Sequence, residues 1–269
     1  MTSIASFEVK YRQYLDPEGR LTSDQPPPLA SDFDQLRSLY GLMVLTRTFD
    51  AKAIKLQRTG KLGTYASSLG HEAIHVGIGA AMRPEDSFAP MYREYGTMLH
   101  RGTKMAEILT YWGGDERGSD FSGPAHDFPI CVPIATQCLH AAGAALAFKL
   151  RGEERVGVTL VGDGGSSKGD FLEALNAAGA FQLPAVFVIA NNQYAISVPR
   201  SRQSGARTLA QKGIAAGLPC IQIDGNDLLA VHRAMESALH RARTGGGASV
   251  IEMMTYRLSD HTTADDARR

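Results

Sequence analysis

The sequence has few cysteines and no net charge, and each absence excludes a class of protein. Cys131, Cys138 and Cys220 are the only cysteines among 269 residues, and none of them forms a C-x-x-C pair. We therefore expect neither a disulfide framework nor a zinc ribbon, and a reducing compartment such as the cytoplasm fits best. Lysine plus arginine and aspartate plus glutamate number 28 each. Without a basic excess, general binding to nucleic acid or to a membrane surface is disfavoured.

Long hydrophobic segments are missing as well. Residues 1–8 lack a basic start followed by an apolar core, so we expect no signal peptide. The most apolar stretch, residues 130–150, contains His140 and Lys149 and predicts a buried helix, not a membrane span. The composition as a whole predicts a soluble, intracellular, globular protein.

The chain is predicted to consist of a polar arm over residues 1–30 and an α/β domain over residues 31–269. The arm ends in three prolines, Pro26–Pro28, which favour an extended polyproline II conformation. Residues 113–129 contain four glycines and two prolines and predict a long surface loop.

Within the domain, the apolar pattern predicts alternating helices and strands. Helices are predicted over 31–59, 70–82, 134–150, 168–181, 209–217 and 227–243, and strands over 87–91, 156–161, 185–190, 221–223 and 250–254. Helical turns that reach His100 are predicted after the first of these strands. Because these strands are apolar on both faces, the pattern indicates a doubly wound parallel sheet with helices on both faces.

Polar residues follow two of the predicted strands where ligands of open parallel sheets bind. Residues 162–165 read Gly-Asp-Gly-Gly after the first of them, and Asn191 and Asn192 follow the next. Glycines allow a tight turn whose N–H groups face an anion. Asp163 and Asn192 offer the oxygen ligands that Mg²⁺ prefers. This pattern predicts a site for Mg²⁺ and a diphosphate.

Other interpretations of the glycine loop remain to be weighed. It is not a dinucleotide fingerprint, because Ser167 stands where the third glycine is needed. It is not a Walker loop, because Asp170 follows Gly169 where a lysine is needed. A plain glycine turn, with Asp163 capping the next helix, stays open on the residues alone.

A second motif points to different chemistry. His71-Glu72-Ala73-Ile74-His75 matches the H-E-x-x-H pattern of zinc peptidases, with Glu94 as a distal ligand and Glu72 as general base. Prolines at 84 and 90 interrupt the path to Glu94, where a helical ligand carrier is needed. Two histidines that pack or cap near a helix start are the competing interpretation.

Several motifs in order resemble the alpha subunit of the thiamine diphosphate-dependent decarboxylating component of 2-oxo acid dehydrogenase complexes. The matching segments are Arg47–Asp50, Gly70–Ala73, Tyr92–Glu94, Gly162–Gly164, Gly169–Phe171, Glu173–Asn176, Asn191–Asn192 and His261–Thr263. The resemblance covers residues 7–266 and is strongest to the bacterial heterotetrameric pyruvate or branched-chain type. It implies the thiamine diphosphate-binding fold.

The resemblance implies a role for each candidate residue at the metal and diphosphate. Asp163, Asn192 and the carbonyl of Tyr194 correspond to Mg²⁺ ligands. The backbone N–H groups of Gly164 and Gly165 correspond to diphosphate donors.

Four further residues match cofactor contacts of the family. Tyr92 and Arg93 correspond to the pair that reaches the diphosphate, for which an arginine fork is suited. His261 corresponds to a catalytic loop histidine near the diphosphate and the reacting centre. Ile134 corresponds to the residue that braces the bent conformation of the cofactor.

The resemblance also implies partners. A beta subunit completes an α2β2 heterotetramer and supplies the glutamate that activates the cofactor, so neither Glu72 nor Glu173 is assigned that role. The assembled enzyme is expected to decarboxylate pyruvate and pass the acyl group to a lipoyl acyltransferase. A branched-chain 2-oxo acid (2-oxoisovalerate) or acetoin is the alternative substrate, and an inactive, truncated interaction subunit is the alternative of another class.

Two departures from the family pattern carry expectations. Family members continue beyond the aspartate pair, so a C-terminal tail with helices and subunit contacts is expected to be absent from a chain that ends at Arg269. Thr262 stands where mitochondrial members carry a phosphorylatable serine, so no control by a kinase is expected.

Overall fold

The computed structural model describes residues 2–267. The strands in this part of the chain are β1 (Lys10–Arg12), β2 (Ser87–Ala89), β3 (Gly157–Gly162), β4 (Ala185–Asn191), β5 (Tyr194–Ala195), β6 (Val198–Pro199), β7 (Cys220–Asp224) and β8 (Ser249–Met254). Six of them form one sheet in the order β1-β7-β8-β4-β3-β2, and every neighbouring pair is parallel. β5 and β6 form a small antiparallel hairpin.

Helices connect the strands. They are α1 (Phe33–Arg58), α2 (Glu72–Ala81), α3 (Tyr95–His100), α4 (Met105–Trp112), α5 (Thr136–Arg151), α6 (Gly169–Ala180), α7 (Arg200–Gln203), α8 (Gln211–Ala215) and α9 (Leu228–Arg243). Each helix and strand predicted over the domain is present, with ends shifted by a few residues. Neither α4 nor α7 was predicted. No helix of the described residues is both long enough and apolar enough to cross a bilayer.

The central strands bury both faces, as their composition predicts. Val186, Val188 and Ala190 of β4 pack into a core shared with α1, α2, α3 and α9. The alternate side chains Phe187 and Ile189 pack into a second core with α5 and α6. Because successive side chains of a strand point to opposite faces, two cores mean that helices cover both sides of the sheet. The doubly wound parallel fold is confirmed.

The N-terminal segment differs from a simple polar arm, because Lys10–Arg12 adds an edge strand beside β7. One carboxylate fastens this segment to the domain. Asp227 Oδ2 accepts hydrogen bonds from the N–H groups of Tyr14 (2.6 Å) and Leu15 (2.9 Å), while its Oδ1 caps the start of α9. Backbone groups make most of these contacts, so the side-chain pattern of residues 1–30 does not predict them.

Two predicted irregular segments are found with added detail. Pro27 has the extended backbone expected of polyproline II (φ −67°, ψ 158°), and a 3-10 helix over Pro28–Ser31 follows it. Residues 113–129 form the predicted loop except for a 3-10 turn over Glu116–Ser119. Phe128 N–H donates to the carbonyl of Phe88 at 2.9 Å, which holds the end of this loop on β2.

The sheet places the candidate site at one edge. β3 and β4 are adjacent and parallel, with Gly162 in register with Ala190. The segments after them therefore begin side by side at the carboxyl ends of the strands. β8 lies on the other side of β4 with Met254 in register with Asn191, so the segment that leads to His261 starts at the same edge.

Candidate active site

Asp163 lies directly after β3 and is almost fully buried. Its Oδ2 accepts a hydrogen bond of 2.6 Å from Nε2 of Gln203, and burial raises the pKa of its carboxyl group. The residue before α6 is Lys168, and no side chain caps that helix. The interpretation of Asp163 as a helix cap is therefore wrong. Its carboxylate is held at the strand end, where a cation would favour the charged form.

The two glycines after Asp163 lie in a space too small for any side chain. A Cβ on Gly164 would lie 2.4 Å from Cβ of Ala195, and one on Gly165 would lie 2.5 Å from Cγ2 of Val161. The same position on Gly165 would be 3.1 Å from Cγ2 of Ile134. These glycines open a short 3-10 helix, where backbone N–H groups lack partners within the helix. The loop is thus a tight cradle bounded by Ile134 and by the β5–β6 hairpin.

Asn192 and Tyr194 follow β4 and supply two further oxygen atoms. Asn192 is buried, and its Oδ1 accepts the N–H of Tyr194 at 3.3 Å. The carbonyl oxygen of Tyr194 accepts a hydrogen bond of 3.1 Å from Arg257. Gln193 between them has a left-handed backbone (φ 77°), which turns the chain sharply. Like Asp163 at the end of the adjacent strand, these residues offer oxygen donors, the kind that Mg²⁺ selects. The chemistry of the donors therefore fits a metal-bound diphosphate.

Tyr92, Arg93 and His261, predicted from two separate motifs, are brought together. The Oη atom of Tyr92 lies 3.3 Å from Nε2 of His261. Arg93 Nη2 lies 3.2 Å from Nδ1 of His261 and donates to its carbonyl oxygen at 3.0 Å. Burial, with the charges of Arg93 and Arg257, lowers the pKa of His261 to about 4. This imidazole is therefore neutral near pH 7.

Arg257 is the site residue that the sequence reasoning missed. It is buried, and its guanidinium donates to the carbonyl oxygens of Tyr194 (3.1 Å), Ile196 (2.7 Å) and Ser259 (3.1 Å). Arg257 thereby ties the β5–β6 hairpin to the segment that carries His261. These residues line a cavity of about 550 Å³. The sequence did contain a signal for Arg257. An arginine just after an apolar strand needs a partner for its charge at the strand end, and this position could have been predicted to belong to the site.

A buried network holds Arg93 from behind. Its Nη1 donates to the carbonyl oxygen of Ser67. The carboxylate of Asp50 accepts from Ser67 Oγ at 2.6 Å and from the N–H of Ser68 at 2.7 Å. Asp50 of the predicted Arg47–Asp50 motif therefore fixes the loop on which the Arg93 side chain rests.

The zinc-peptidase interpretation is wrong. Glu72 is paired with Arg47 at 2.8 Å and accepts the N–H of Gly70 at 3.0 Å, so it is not a free general base. Glu94 accepts the N–H of Met91 at 2.9 Å. Across residues 2–267, no three His, Cys, Asp or Glu side chains are arranged to hold one metal ion. The two histidines of the motif stack on each other, with ring centroids 5.6 Å apart.

Comparison with known proteins identifies the family. The profile of the family described as "Dehydrogenase E1 component" matches residues 40–269. The pyruvate dehydrogenase E1 component subunit alpha of Acholeplasma laidlawii is 44% identical over 251 residues, which is 93% of this chain and 72% of that protein. The 3-methyl-2-oxobutanoate dehydrogenase subunit alpha of Mycobacterium tuberculosis is 42% identical over 266 residues, which is 99% of this chain and 72% of that protein. The pyruvate dehydrogenase E1 component subunit alpha of Staphylococcus aureus is 43% identical over 254 residues, which is 94% of this chain and 68% of that protein.

The chain belongs to the dehydrogenase E1 component family, whose enzymes are thiamine diphosphate-dependent oxidoreductases. Within that family it is an alpha subunit of the bacterial 2-oxo acid dehydrogenase type. The resemblance carried by the sequence motifs is thereby confirmed. Membership implies a beta subunit as partner and a 2-oxo acid as substrate.

Proposed function

We propose that this chain holds the Mg²⁺-diphosphate end of thiamine diphosphate in a pyruvate dehydrogenase, while the beta subunit completes the other end of the cofactor. One observation carries the proposal. Asp163 and Asn192 follow adjacent parallel strands that are in register at Gly162 and Ala190, and the Gly164 cradle lies against the hairpin beside them. A carboxylate, an amide oxygen and a glycine turn in this arrangement suit a metal-bound diphosphate.

The metal would be held by oxygen atoms from the two strand ends. The carboxylate of Asp163 supplies the negative charge, and the amide oxygen of Asn192 and the carbonyl of Tyr194 supply neutral ligands. The carbonyl retains a lone pair beside the hydrogen bond from Arg257. The N–H groups of Gly164 and Gly165 would donate to the diphosphate, which the absence of side chains there allows to approach closely.

Positive charge beside His261 would complete the anion site. Arg93 and Arg257 both lie against His261, and the charge of each guanidinium lowers the pKa of that histidine. A bound diphosphate would relieve this concentration of positive charge. Tyr92, which contacts the same imidazole, would define the edge of the anion site.

His261 is proposed as the catalytic residue of this chain. As a neutral imidazole that accepts at Nδ1, it carries its hydrogen on Nε2 and can donate without adding a third positive charge. Thiamine diphosphate, when bound, supplies the electron sink for loss of carbon dioxide from a 2-oxo acid. His261 would orient the diphosphate end and the incoming acyl acceptor. Ile134 is partly exposed and lies against Gly165, where an apolar side chain can brace the bound cofactor.

The finer assignments rest on the relatives and on composition. Pyruvate is the preferred substrate, because pyruvate dehydrogenase subunits are 44% and 43% identical to this chain. A branched-chain 2-oxo acid is the second candidate, favoured by the 42% identical subunit named for 3-methyl-2-oxobutanoate. An α2β2 assembly, a lipoyl acyltransferase as acyl acceptor, and a cytoplasmic location complete the proposal.

A substrate test with the assembled enzyme decides the assignment. The chain is produced together with its beta subunit, and three substrates are compared at saturating Mg²⁺ and thiamine diphosphate. Carbon dioxide release is measured with pyruvate and with 2-oxoisovalerate, and acetaldehyde release is measured with acetoin. We expect the largest kcat/KM with pyruvate. A larger value with 2-oxoisovalerate or acetoin would transfer the assignment to that substrate. Complete inactivity of a correctly assembled complex would favour an interaction subunit.

A further inference from the structure

The buried side chain of His71 contacts the candidate metal ligand Asn192. The imidazole Nε2 of His71 lies 3.2 Å from Nδ2 of Asn192, and both residues are buried. On its other side, Asn192 Oδ1 accepts the N–H of Tyr194 at 3.3 Å. A backbone N–H can only donate, so the oxygen of the amide faces Tyr194 and the nitrogen faces His71. The imidazole therefore accepts at Nε2 and carries its hydrogen on Nδ1.

The local structure leaves the His71 side chain available for this contact. His71 is the residue before α2, but its side chain makes no capping hydrogen bond. Gly70 precedes it with φ +95°, and a Cβ there would lie 2.2 Å from the carbonyl oxygen of Tyr256. The chain thus passes close to the segment after β8, and the next residue, His71, lies against Asn192 at the end of β4. The H-E-x-x-H pattern had suggested a metal ligand at this position, whereas the imidazole contacts a candidate ligand instead.

The orientation of the Asn192 amide decides whether it can bind a cation. With its oxygen toward Tyr194, Oδ1 keeps a second lone pair for a metal. Rotated by half a turn, the amide would present N–H groups to the cation and place its oxygen against the lone pair of His71. A hydrogen-bond acceptor at Nε2 therefore disfavours the orientation that cannot bind a cation.

We propose that His71 is a positioning residue for the metal site: it accepts a hydrogen bond from the Asn192 amide and thereby keeps Oδ1 of Asn192 directed at Mg²⁺. The proposal rests on the function proposed above, in which Asn192 is a metal ligand. Partners that orient a metal ligand in this way commonly change metal affinity by about 10- to 100-fold when removed.

A matched set of variants tests the proposal in the complex with the beta subunit. His71→Leu removes the acceptor, and His71→Gln restores an acceptor oxygen. His75→Leu is the control, because His75 is equally buried one turn along α2, stacks on His71, and has no side-chain hydrogen bond within the described residues. The measurements are Mn²⁺ affinity by electron paramagnetic resonance with thiamine diphosphate present, and the Mg²⁺ dependence of decarboxylation.

We expect His71→Leu to weaken Mn²⁺ binding by about 10-fold or more, with kcat recovering at high Mg²⁺. His71→Gln should lie within about threefold of the unmodified protein, and so should His75→Leu. Equal losses in His71→Leu and His75→Leu would show a packing effect and overturn the proposal, as would unchanged affinity in His71→Leu. Absence of Mn²⁺ binding to the unmodified complex would instead overturn the proposed function, and this inference with it.

Discussion

The guanidinium of Arg93 lies 3.2 Å from Nδ1 of His261 and donates a second hydrogen bond to the His261 carbonyl oxygen at 3.0 Å. A guanidinium has donors only, so Nδ1 must act as the acceptor. The pair therefore fixes both the protonation state and the tautomer of the imidazole. It also fastens the segment after β8 to the segment before α3, which are separated by 168 positions.

His261→Ala should impair acyl transfer much more than folding. The backbone carbonyl that Arg93 contacts remains in the variant, so we expect a loss of stability below about 1 kcal/mol, whereas losing a donor beside an anionic group should cost about tenfold or more in rate. Acyl transfer by the assembled complex and urea unfolding measure the two effects. His240→Ala, an exposed histidine on α9, is the control. Normal acyl transfer by His261→Ala would remove this histidine from the mechanism.

Asp163→Ala should abolish Mg²⁺-dependent binding of thiamine diphosphate. The substitution removes the anionic ligand of the proposed metal site, and neutral oxygens alone bind Mg²⁺ weakly. Asp163→Asn keeps one oxygen and should retain measurable but weaker binding. Titration calorimetry on the complex with the beta subunit gives both affinities. If Asp163→Ala bound the cofactor as tightly as the unmodified protein, the metal site would have to lie elsewhere.

Gly164→Ala should displace the β5–β6 hairpin and weaken cofactor binding, because its Cβ would lie 2.4 Å from Cβ of Ala195. Shortening the opposing side chain should reverse part of the effect, so the double variant Gly164→Ala/Ala195→Gly is expected to bind better than Gly164→Ala. Gly205→Ala meets nothing within 4 Å and serves as the control. Cofactor affinity and melting temperature are measured for all three. A fully active Gly164→Ala protein would contradict the close contact.

Arg257→Lys should separate the role of charge from that of hydrogen-bond geometry. A lysine keeps the positive charge but cannot donate to three carbonyl oxygens at once. We expect weaker cofactor binding and faster proteolysis near the β5–β6 hairpin, whose Tyr194 and Ile196 carbonyls lose a donor. Limited proteolysis with and without cofactor is the measurement. Unchanged cleavage would show that Arg257 acts through its charge alone.

Glu94→Gln should change how stability depends on pH. Burial raises the pKa of Glu94 to about 7 in the folded protein, against 4.5 ordinarily. The unfolded chain releases this proton first, so the contribution of Glu94 is full below pH 4.5 and is lost as pH rises through 7. Between pH 5 and 8, the free energy of unfolding of the unmodified protein should fall by on the order of 2 kcal/mol relative to that of Glu94→Gln. Urea unfolding at the two pH values measures this difference, and parallel pH profiles would contradict the buried, protonated carboxyl.

The sequence was most informative where burial is complete. The strands around Val158, Phe187 and Ile251 are apolar on both faces, and this pattern requires a covered parallel sheet. Glycine, aspartate and asparagine at two neighbouring strand ends predicted the candidate metal site, because a tight glycine turn and oxygen ligands together suit a metal-bound diphosphate. Tyr92 and His261 needed the family resemblance, since no local spacing relates residues that far apart.

Other elements were missed for identifiable reasons. α4 has apolar residues at Met105, Ile108, Leu109 and Trp112, and this spacing is typical of a helix. β1 is held by backbone pairing at the sheet edge and has mostly exposed side chains, so its apolar pattern is weak. The contact between His71 and Asn192 joins two separate motifs, and only the fold shows that they meet.

The position of β1 has a consequence for the order of folding. Its pairing partner is β7, and the hydrogen bond from Tyr14 to Asp227 closes a separation of 213 residues. This segment is therefore translated well before its partners and finds its place only after β7 and the start of α9 have formed. Contacts of such long range are slow to form, because a large loop must close before they become favourable. Protection of the Tyr14 and Leu15 amides from hydrogen exchange would thus report the completion of the sheet, not its beginning.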